Sequence, residues 1–458
     1  MTLTRVDPDL LRPIEDPSQL VDYFRAGEKP PEEFRVGTEH EKIALYAGDL
    51  KPVPYEGDRG IRALLEAVQE EHGFGPLFDG DRLVGLERGG ATITLEPGGQ
   101  LELSGVPFLS LHETCREFNE HVALMKQVCE RFDIIWLGLG MHPLARIDEL
   151  PHMPRQRYTI MREILGARDE LGTYMMHATG TVQANFDFSS EADMARKLRL
   201  ALAASPVITA LYANSSVSDG VPNGFESRRA WVWRHTDPDR CGFLPFAFED
   251  GWGEGTAYER YAEWALDVPM FFLVRDDEHI RMAGRTFREF LRNGFEGERA
   301  TFADWQIHLT TLFPEARLKR VIEARGADAV PPKLVCGLPA FWKGLFYDEG
   351  ALAGAEERVC AWSHAEVDAL HADVARNGLK VHTPSGPVLA VAKDLVDLSA
   401  GGLRRLDERN RAGQDESIFL DPLYEIIDRG TSPGRYLLER WDGAWSRRIE
   451  FLIEYARY

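Results

Sequence analysis

The stretch Phe34-Arg35-Val36-Gly37-Thr38-Glu39-His40-Glu41-Lys42-Ile43-Ala44-Leu45-Tyr46 constrains the fold more than any other part of the chain. Read as a strand, it alternates side chains between two faces, which puts Glu39, Glu41, Ile43 and Leu45 on the same side. Two carboxylates therefore extend an apolar face. Unpaired charge facing a core is too costly to keep unless a cation receives it, and a metal ion is one candidate. His40 and Lys42 have the opposite parity and are expected to be structural or to support the site from behind.

Several classes of partner are disfavoured by composition. The formal net charge of −21 repels phosphate backbones and anionic lipid, so nucleic acid is not expected as a partner, whereas small anions need only a local basic pocket. No run approaches the roughly 18 to 20 apolar residues of a membrane span, so no membrane is expected either. The segment from Met1 to Asp9 lacks the basic and apolar regions of a secretory signal, which makes the cytoplasm the expected location. Five widely spaced cysteines without a Cys-x-x-Cys read as buried thiols, not as a disulfide framework or zinc site.

Along its 458 residues the chain shows no repeat, low-complexity tract or clean linker, and is read as a single catalytic domain, 1–458. Residues 1–31 form a helical leader with Leu20, Tyr23 and Phe24 as its apolar stripe, ended by Pro30-Pro31. Residues 32–330 form a sheet-containing core. Its expected elements include a helix from Gly60 to His72 and glycine-punctuated strands over Arg82 to Leu86, Ala91 to Glu96 and Gln100 to Ser104. A long helix from Leu111, a buried strand from Ile134 to Leu139 and a helix opened by Pro154 follow. Next come a strand from Thr179 to Phe188, a helix announced by Ser190-Glu191-Ala192-Asp193 that ends or kinks near Pro206, and strands over Met270 to Val274 and Leu318 to Arg325. Residues 331–458 are helical. Hairpin signals favour an antiparallel sheet and an α+β class.

The sequence lacks the P-loop, zincin, nucleophile-elbow and dinucleotide-binding patterns. What it offers is carboxylates on strands: Glu39, Glu41, Glu96, Glu102 and Glu323. Oxygen-only ligands on rigid strands suit Mg2+ or Mn2+, the ions that bridge nucleotide phosphates. A geometric condition applies. With Pro97-Gly98-Gly99 as a three-residue loop, Glu96 faces Gln100, Thr94 faces Glu102, and both glutamates share one side; with a two-residue Gly98-Gly99 loop they part. Any single glutamate is better read as a solvated strand residue. Arg157 and Arg229 are candidate carboxylate clamps by their planar guanidinium. The alternative is a surface arginine with its stem on an aromatic.

Longer motifs then carry a resemblance. Gly37-Thr38-Glu39-His40-Glu41-Lys42, Leu95-Glu96-Pro97-Gly98-Gly99-Gln100-Leu101-Glu102-Leu103-Ser104-Gly105, Met153-Pro154-Arg155-Gln156-Arg157-Tyr158 and Thr181-Val182-Gln183-Ala184-Asn185-Phe186 resemble the plant-type glutamate–cysteine ligases, the branch shared by plants and many proteobacteria. Thr236-Asp237-Pro238-Asp239-Arg240, His308-Leu309-Thr310-Thr311-Leu312-Phe313-Pro314-Glu315-Ala316-Arg317-Leu318-Lys319 and Leu338-Pro339-Ala340-Phe341-Trp342 extend it over roughly residues 33–350. The resemblance implies a glutamine-synthetase-like carboxylate–amine ligase fold, a curved, mostly antiparallel sheet forming a funnel for ATP, Mg2+ and glutamate. It further implies ATP-dependent joining of the γ-carboxylate of L-glutamate to the amine of L-cysteine through γ-glutamyl phosphate, as the first step of glutathione biosynthesis.

By position in that family, Glu39, Glu41, Glu96, Glu102 and Glu323 would hold metal, while Arg157, Arg229 and Thr181 would bind glutamate. Gln183 stands where more distant ligases place a metal-binding histidine. Arg325, two residues beyond Glu323, would steady the transferred phosphoryl group. Cys115 and Cys336 lie at the positions of a regulatory disulfide in plant members, although core-facing helical cysteines read first as buried thiols. A γ-glutamyl ligase for another amine, as in ergothioneine synthesis, or a non-catalytic nucleotide- or carboxylate-binding homologue are the competing readings. The protein is expected as a monomer or homodimer.

Overall fold

A computed structural model describes residues 8–458. Its centre is a nine-stranded sheet made of β1 (Val36–Tyr46), β2 (Gly75–Asp79), β3 (Arg82–Arg88), β4 (Ala91–Leu95), β5 (Leu101–Ser104), β6 (Ile134–Leu137), β7 (Thr181–Phe186), β8 (Ala316–Leu318) and β9 (Ile322–Asp328). The order is β8-β9-β7-β1-β5-β4-β3-β2, with β6 alongside the C-terminal half of β1. Every pairing in it is antiparallel, as the hairpin signals require. The sheet and the helical region beyond it bear out the α+β class.

Strand β1 holds the centre because it pairs on both sides. Residues Val36 to His40 run against β7 and Glu39 to Lys42 against β5. On the β4–β5 hairpin, Ile93, Leu95, Leu101 and Leu103 turn to a core completed by Ile61, Leu64, Leu65 and Val68 of the helix Ile61–His72. Thr94, Glu96, Glu102 and Ser104 turn the other way. The period of two thus divides one hairpin into an apolar and a polar face.

Behind β9 and β7 lies the helix Glu191–Tyr212, buried along most of its length. The helix does not end at Pro206. A proline inside a helix loses one hydrogen bond and costs about 3 kcal/mol, but apolar burial on both sides of Pro206, from Leu198 to Leu211, holds the helix through it. The single strand expected over Leu318 to Arg325 is instead the β8–β9 hairpin, turned at Lys319, whose N–H donates to Val321 O at 2.9 Å. Strand β2 went unread because Gly75-Pro76 looks like a loop; it survives at the sheet edge, where a missing N–H is tolerated.

The leader helix Ser18–Arg25 packs Phe24 against Tyr258, Tyr261 and Trp305, so it belongs to the main core. At the far end the chain returns to the sheet: Gly138 N donates to Ala456 O at 2.8 Å and Tyr458 N to Trp136 O at 3.0 Å. Cys115 and Cys336 are joined, with Cα atoms 6.0 Å apart, which corrects the reading of both as free thiols. The bond ties the helix Leu111–Cys129 to the N-cap of the helix Gly337–Phe346 and joins residues that are 221 apart in sequence. No described helix is long and apolar enough to cross a membrane.

Candidate active site

A cavity of about 430 Å3 opens on the polar face of the sheet. Its floor carries Glu39 and Glu41 from β1, Glu102 from β5, Thr181 and Gln183 from β7 and Arg325 from β9, with Glu96 at the hairpin corner. The three-residue loop is the one that forms: Glu96 N donates to Gln100 O at 2.8 Å, Leu95 faces Leu101 and Thr94 faces Glu102. Two glycines make it possible. Gly99 has φ +84, and a Cβ on Gly98 would lie 2.1 Å from the His177 carbonyl oxygen. Gln100 Nε2 donates to Thr179 O at 2.8 Å and ties the hairpin to the segment leading into β7.

Register sets the carboxylates against one another. Glu41 stands directly opposite Glu102, and Glu39 opposite Gln183. Glu39 accepts a hydrogen bond from Asn185 Nδ2 at 3.0 Å, Glu41 from Thr181 N at 3.0 Å, and Glu102 from Ser104 Oγ at 2.9 Å and Thr94 Oγ1 at 3.2 Å. These bonds do not neutralise the charges. Burial, then the fields of Glu96 and Glu102, hold Glu41 well above the ordinary glutamate range. Burial followed by Glu96 raises Glu102, and burial followed by Glu323 and Glu102 raises Glu39.

Glu323 is placed differently from the other four. It is fully buried and does not line the cavity. Arg317 Nη2 donates to it at 2.7 Å, Lys319 Nζ lies at 2.7 Å, and Arg325 pairs with it closely. Burial would raise its pKa, but these three cations outweigh burial and hold it well below the usual range. Among the described residues, no three His, Cys, Asp or Glu side chains stand close enough together to hold a metal ion as placed. The oxygen-only donor set nevertheless fits a hard divalent cation, with Glu39, Glu41, Glu96 and Glu102 sharing one cavity.

Cations face these acids from the opposite wall. Arg155 and Arg157 come from the start of the helix Gln156–Arg168, Arg229 from the helix Arg228–Arg234, and Arg317, Lys319 and Arg320 from the β8–β9 hairpin. The Nε atoms of Arg155, Arg157 and Arg229 are buried without a partner among the described residues. Arg229 is buried and Arg157 half-buried, so neither is the exposed arginine of the alternative reading. Arg325 donates through Nη1 to Gln183 Oε1 at 2.6 Å, so Gln183 serves as an acceptor for arginine here. Met161, Met175, Met176, Trp233 and Phe313 supply an apolar section of wall.

Sequence reasoning missed Arg155, Arg317, Lys319, Asn185 and Tyr23. The first three lie inside quoted motifs and carry the right charge, which was a usable signal. Tyr23 had none, because only packing of the leader brings it to the cavity. Lys42 and His40 lie buried behind the sheet as their parity required: His40 stacks on Phe118 at 4.9 Å, and burial pushes the Lys42 ammonium down to about 7.

The model of glutamate-cysteine ligase family 2 (GCS2) matches residues 35–454. The chain belongs to this family. It is 42% identical to the chloroplastic glutamate–cysteine ligase of Medicago truncatula over 96% of this chain and 84% of that protein. It is also 42% identical to the Arabidopsis thaliana chloroplastic enzyme, over 96% and 82%. A crystal structure of glutamate–cysteine ligase from Francisella tularensis in complex with AMP shares the fold with a TM-score of 0.56 at 12% identity, covering 92% of this chain and 87% of that one. Membership bears out the resemblance seen in the motifs and makes this family 2 chain a ligase. These relatives also overturn the expectation of a cytoplasmic location, since they are chloroplastic enzymes.

Proposed function

We propose that this chain ligates the γ-carboxylate of L-glutamate to the amine of L-cysteine at the expense of ATP, giving γ-glutamylcysteine, ADP and phosphate as the first step of glutathione synthesis. The observation that carries the reading is the convergence, on one cavity, of Glu39, Glu41, Glu96 and Glu102 with Arg157, Arg229 and Arg325. Residues 1–458 act as one catalytic unit in it, since the leader contributes Tyr23 and the sheet the acids.

Arg157 and Arg229 hold the glutamate substrate with Thr181 beside them, leaving its γ-carboxylate toward the acids. Glu39, Glu41, Glu96 and Glu102 would hold Mg2+, with Glu323 as a fifth carboxylate that is paired here with Arg317, Lys319 and Arg325. When bound there, Mg2+ would supply positive charge against the nucleotide phosphates and the phosphoryl group in transfer. Arg325, fixed by Gln183 and Glu323, points its remaining donors at that phosphoryl group. The cysteine amine then displaces phosphate from γ-glutamyl phosphate. The chain contributes position and charge, which is why no nucleophile motif is needed.

The test is phosphate release from ATP with Mg2+ and glutamate, with and without cysteine, and the mass of the product. Release stimulated by cysteine together with γ-glutamylcysteine supports the ligase. Turnover only with another amine moves the acceptor elsewhere, and no turnover with any amine returns the chain to a binding role.

A further inference from the structure

Asp328 closes strand β9 and is buried among polar groups. Its Oδ2 accepts the backbone N–H of Asn214 at 2.8 Å and the hydroxyl of Ser215 at 2.6 Å, and its Oδ1 accepts the hydroxyl of Ser227 at 2.8 Å. Both serines lead to Arg229. Ser227 is the N-cap of the helix Arg228–Arg234, its Oγ accepting Ala230 N at 3.1 Å. Ser215 Oγ accepts the backbone N–H of Arg229 itself at 3.0 Å. Asp328 Oδ1 also lies 4.0 Å from Arg229 Nη1.

The remaining contacts of Arg229 define what this arrangement leaves over. Its Nη2 donates to Arg325 O at 3.0 Å, while its Nε has no partner among the described residues. The guanidinium is thus held from one side and free to donate on the other, where it lines the cavity. Space is reserved for the carboxylate that holds it: a Cβ on Gly140 would come within 2.4 Å of Asp328 Cγ. Asp328 also faces Thr181 across the β7–β9 ladder, so both putting Arg229 in place and placing Thr181 depend on the same corner of the sheet.

We propose that Asp328 is the positioning residue of the glutamate subsite. Through Ser215, Ser227 and its ion pair it fixes the start of the Arg229 helix and the direction of the guanidinium, so that the donors left over face a substrate carboxylate. A buried carboxylate is costly unless hydrogen-bonded and paired, and here each partner it takes belongs to the segment that aims the clamp or leads into it. The proposal rests on the reading of Arg229 as the clamp.

The test compares Asp328→Asn, Arg229→Lys and the double variant in steady-state ligation with Mg2+, varying glutamate and then ATP. Asp328→Asn is expected to raise KM for glutamate about tenfold or more, with KM for ATP within about twofold. In the double variant the second change adds much less than the product of the two, because Asp328 acts through Arg229. Ser215→Ala, which keeps the carboxylate, shows the same selectivity at smaller size and stands in if Asp328→Asn does not fold. Unchanged glutamate KM, equal rises for both substrates, or fully multiplicative effects overturn the proposal. If Arg229→Lys leaves the glutamate KM unchanged, the clamp reading falls and the proposal with it; if only Asp328→Asn does, the clamp reading stands alone.

Discussion

Glu41 and Glu102 stand directly opposite each other on β1 and β5, both turned into one cavity. Like charges in that relation destabilise a sheet by roughly 0.2–1 kcal/mol. A fold that retains the pair gives up stability at the place where the proposed chemistry needs negative charge. Glu102→Gln is therefore expected to stabilise the metal-free protein by up to about 1 kcal/mol while lowering ligation about a hundredfold or more. Thermal melts without metal, beside initial rates with Mg2+, check both halves. Retained ligation would remove Glu102 from the site.

The same acids give the metal-free protein a particular pH response. Glu39, Glu41 and Glu102 have folded-state pKa values raised above the ordinary glutamate value of 4.5, so the folded state binds their protons more tightly than the unfolded chain does. Their contribution is fully present below 4.5 and is lost as pH rises through the raised values. Glu323 works in the opposite sense, its contribution being present above 4.5 and lost as pH falls through its lowered value. Melting temperature without metal should fall as pH climbs above 4.5, and saturating Mg2+ should flatten that fall. A melting temperature that is insensitive to Mg2+ across this range would count against a cation at these carboxylates.

Arg325 is fixed by Gln183 and Glu323 before any substrate arrives. Arg325→Ala should lower kcat by about a hundred- to a thousandfold with little change in KM for glutamate, and Arg325→Lys should recover only part, lacking the planar fork. Steady-state kinetics over both substrates distinguish this from a binding role, in which KM would carry the loss. Turnover of ATP unchanged in Arg325→Ala would end the assignment.

The corner at Gly98 leaves no room for a side chain, since a Cβ there would meet backbone at 2.1 Å. Gly98→Ala should destabilise the protein by about 1–3 kcal/mol and displace Glu96 along with the loop. A lowered denaturation midpoint together with weakened Mg2+ dependence is expected. Gly73→Ala is the contrast: an added Cβ meets open space there, leaving only the cost of φ +69, far from the cavity.

Much of the candidate site was legible locally, and the reason is the strand period of two. It placed Glu39 and Glu41 on one face, His40 and Lys42 on the other, and reduced the hairpin to one question of loop length. The misreadings share a cause. Pro206 should end or kink a helix by local rules, and apolar burial along that helix carries it past the proline without ending. Lys319-Arg320-Val321 turns a predicted strand into a hairpin only because β8 has β9 to pair with. The cysteines looked like thiols because nothing local brings together two residues 221 apart.

By itself, then, the sequence determined which residues carry charge on which face of which strand, because alternation is a property of the backbone alone. Tertiary structure decided what those charges meet. It set Glu102 against Glu41, surrounded Glu323 with Arg317, Lys319 and Arg325, brought Tyr23 from the leader to the cavity wall, and anchored Arg229 to Asp328. Those relationships depend on the register between strands and on the packing of distant helices, and both are fixed by the whole core at once.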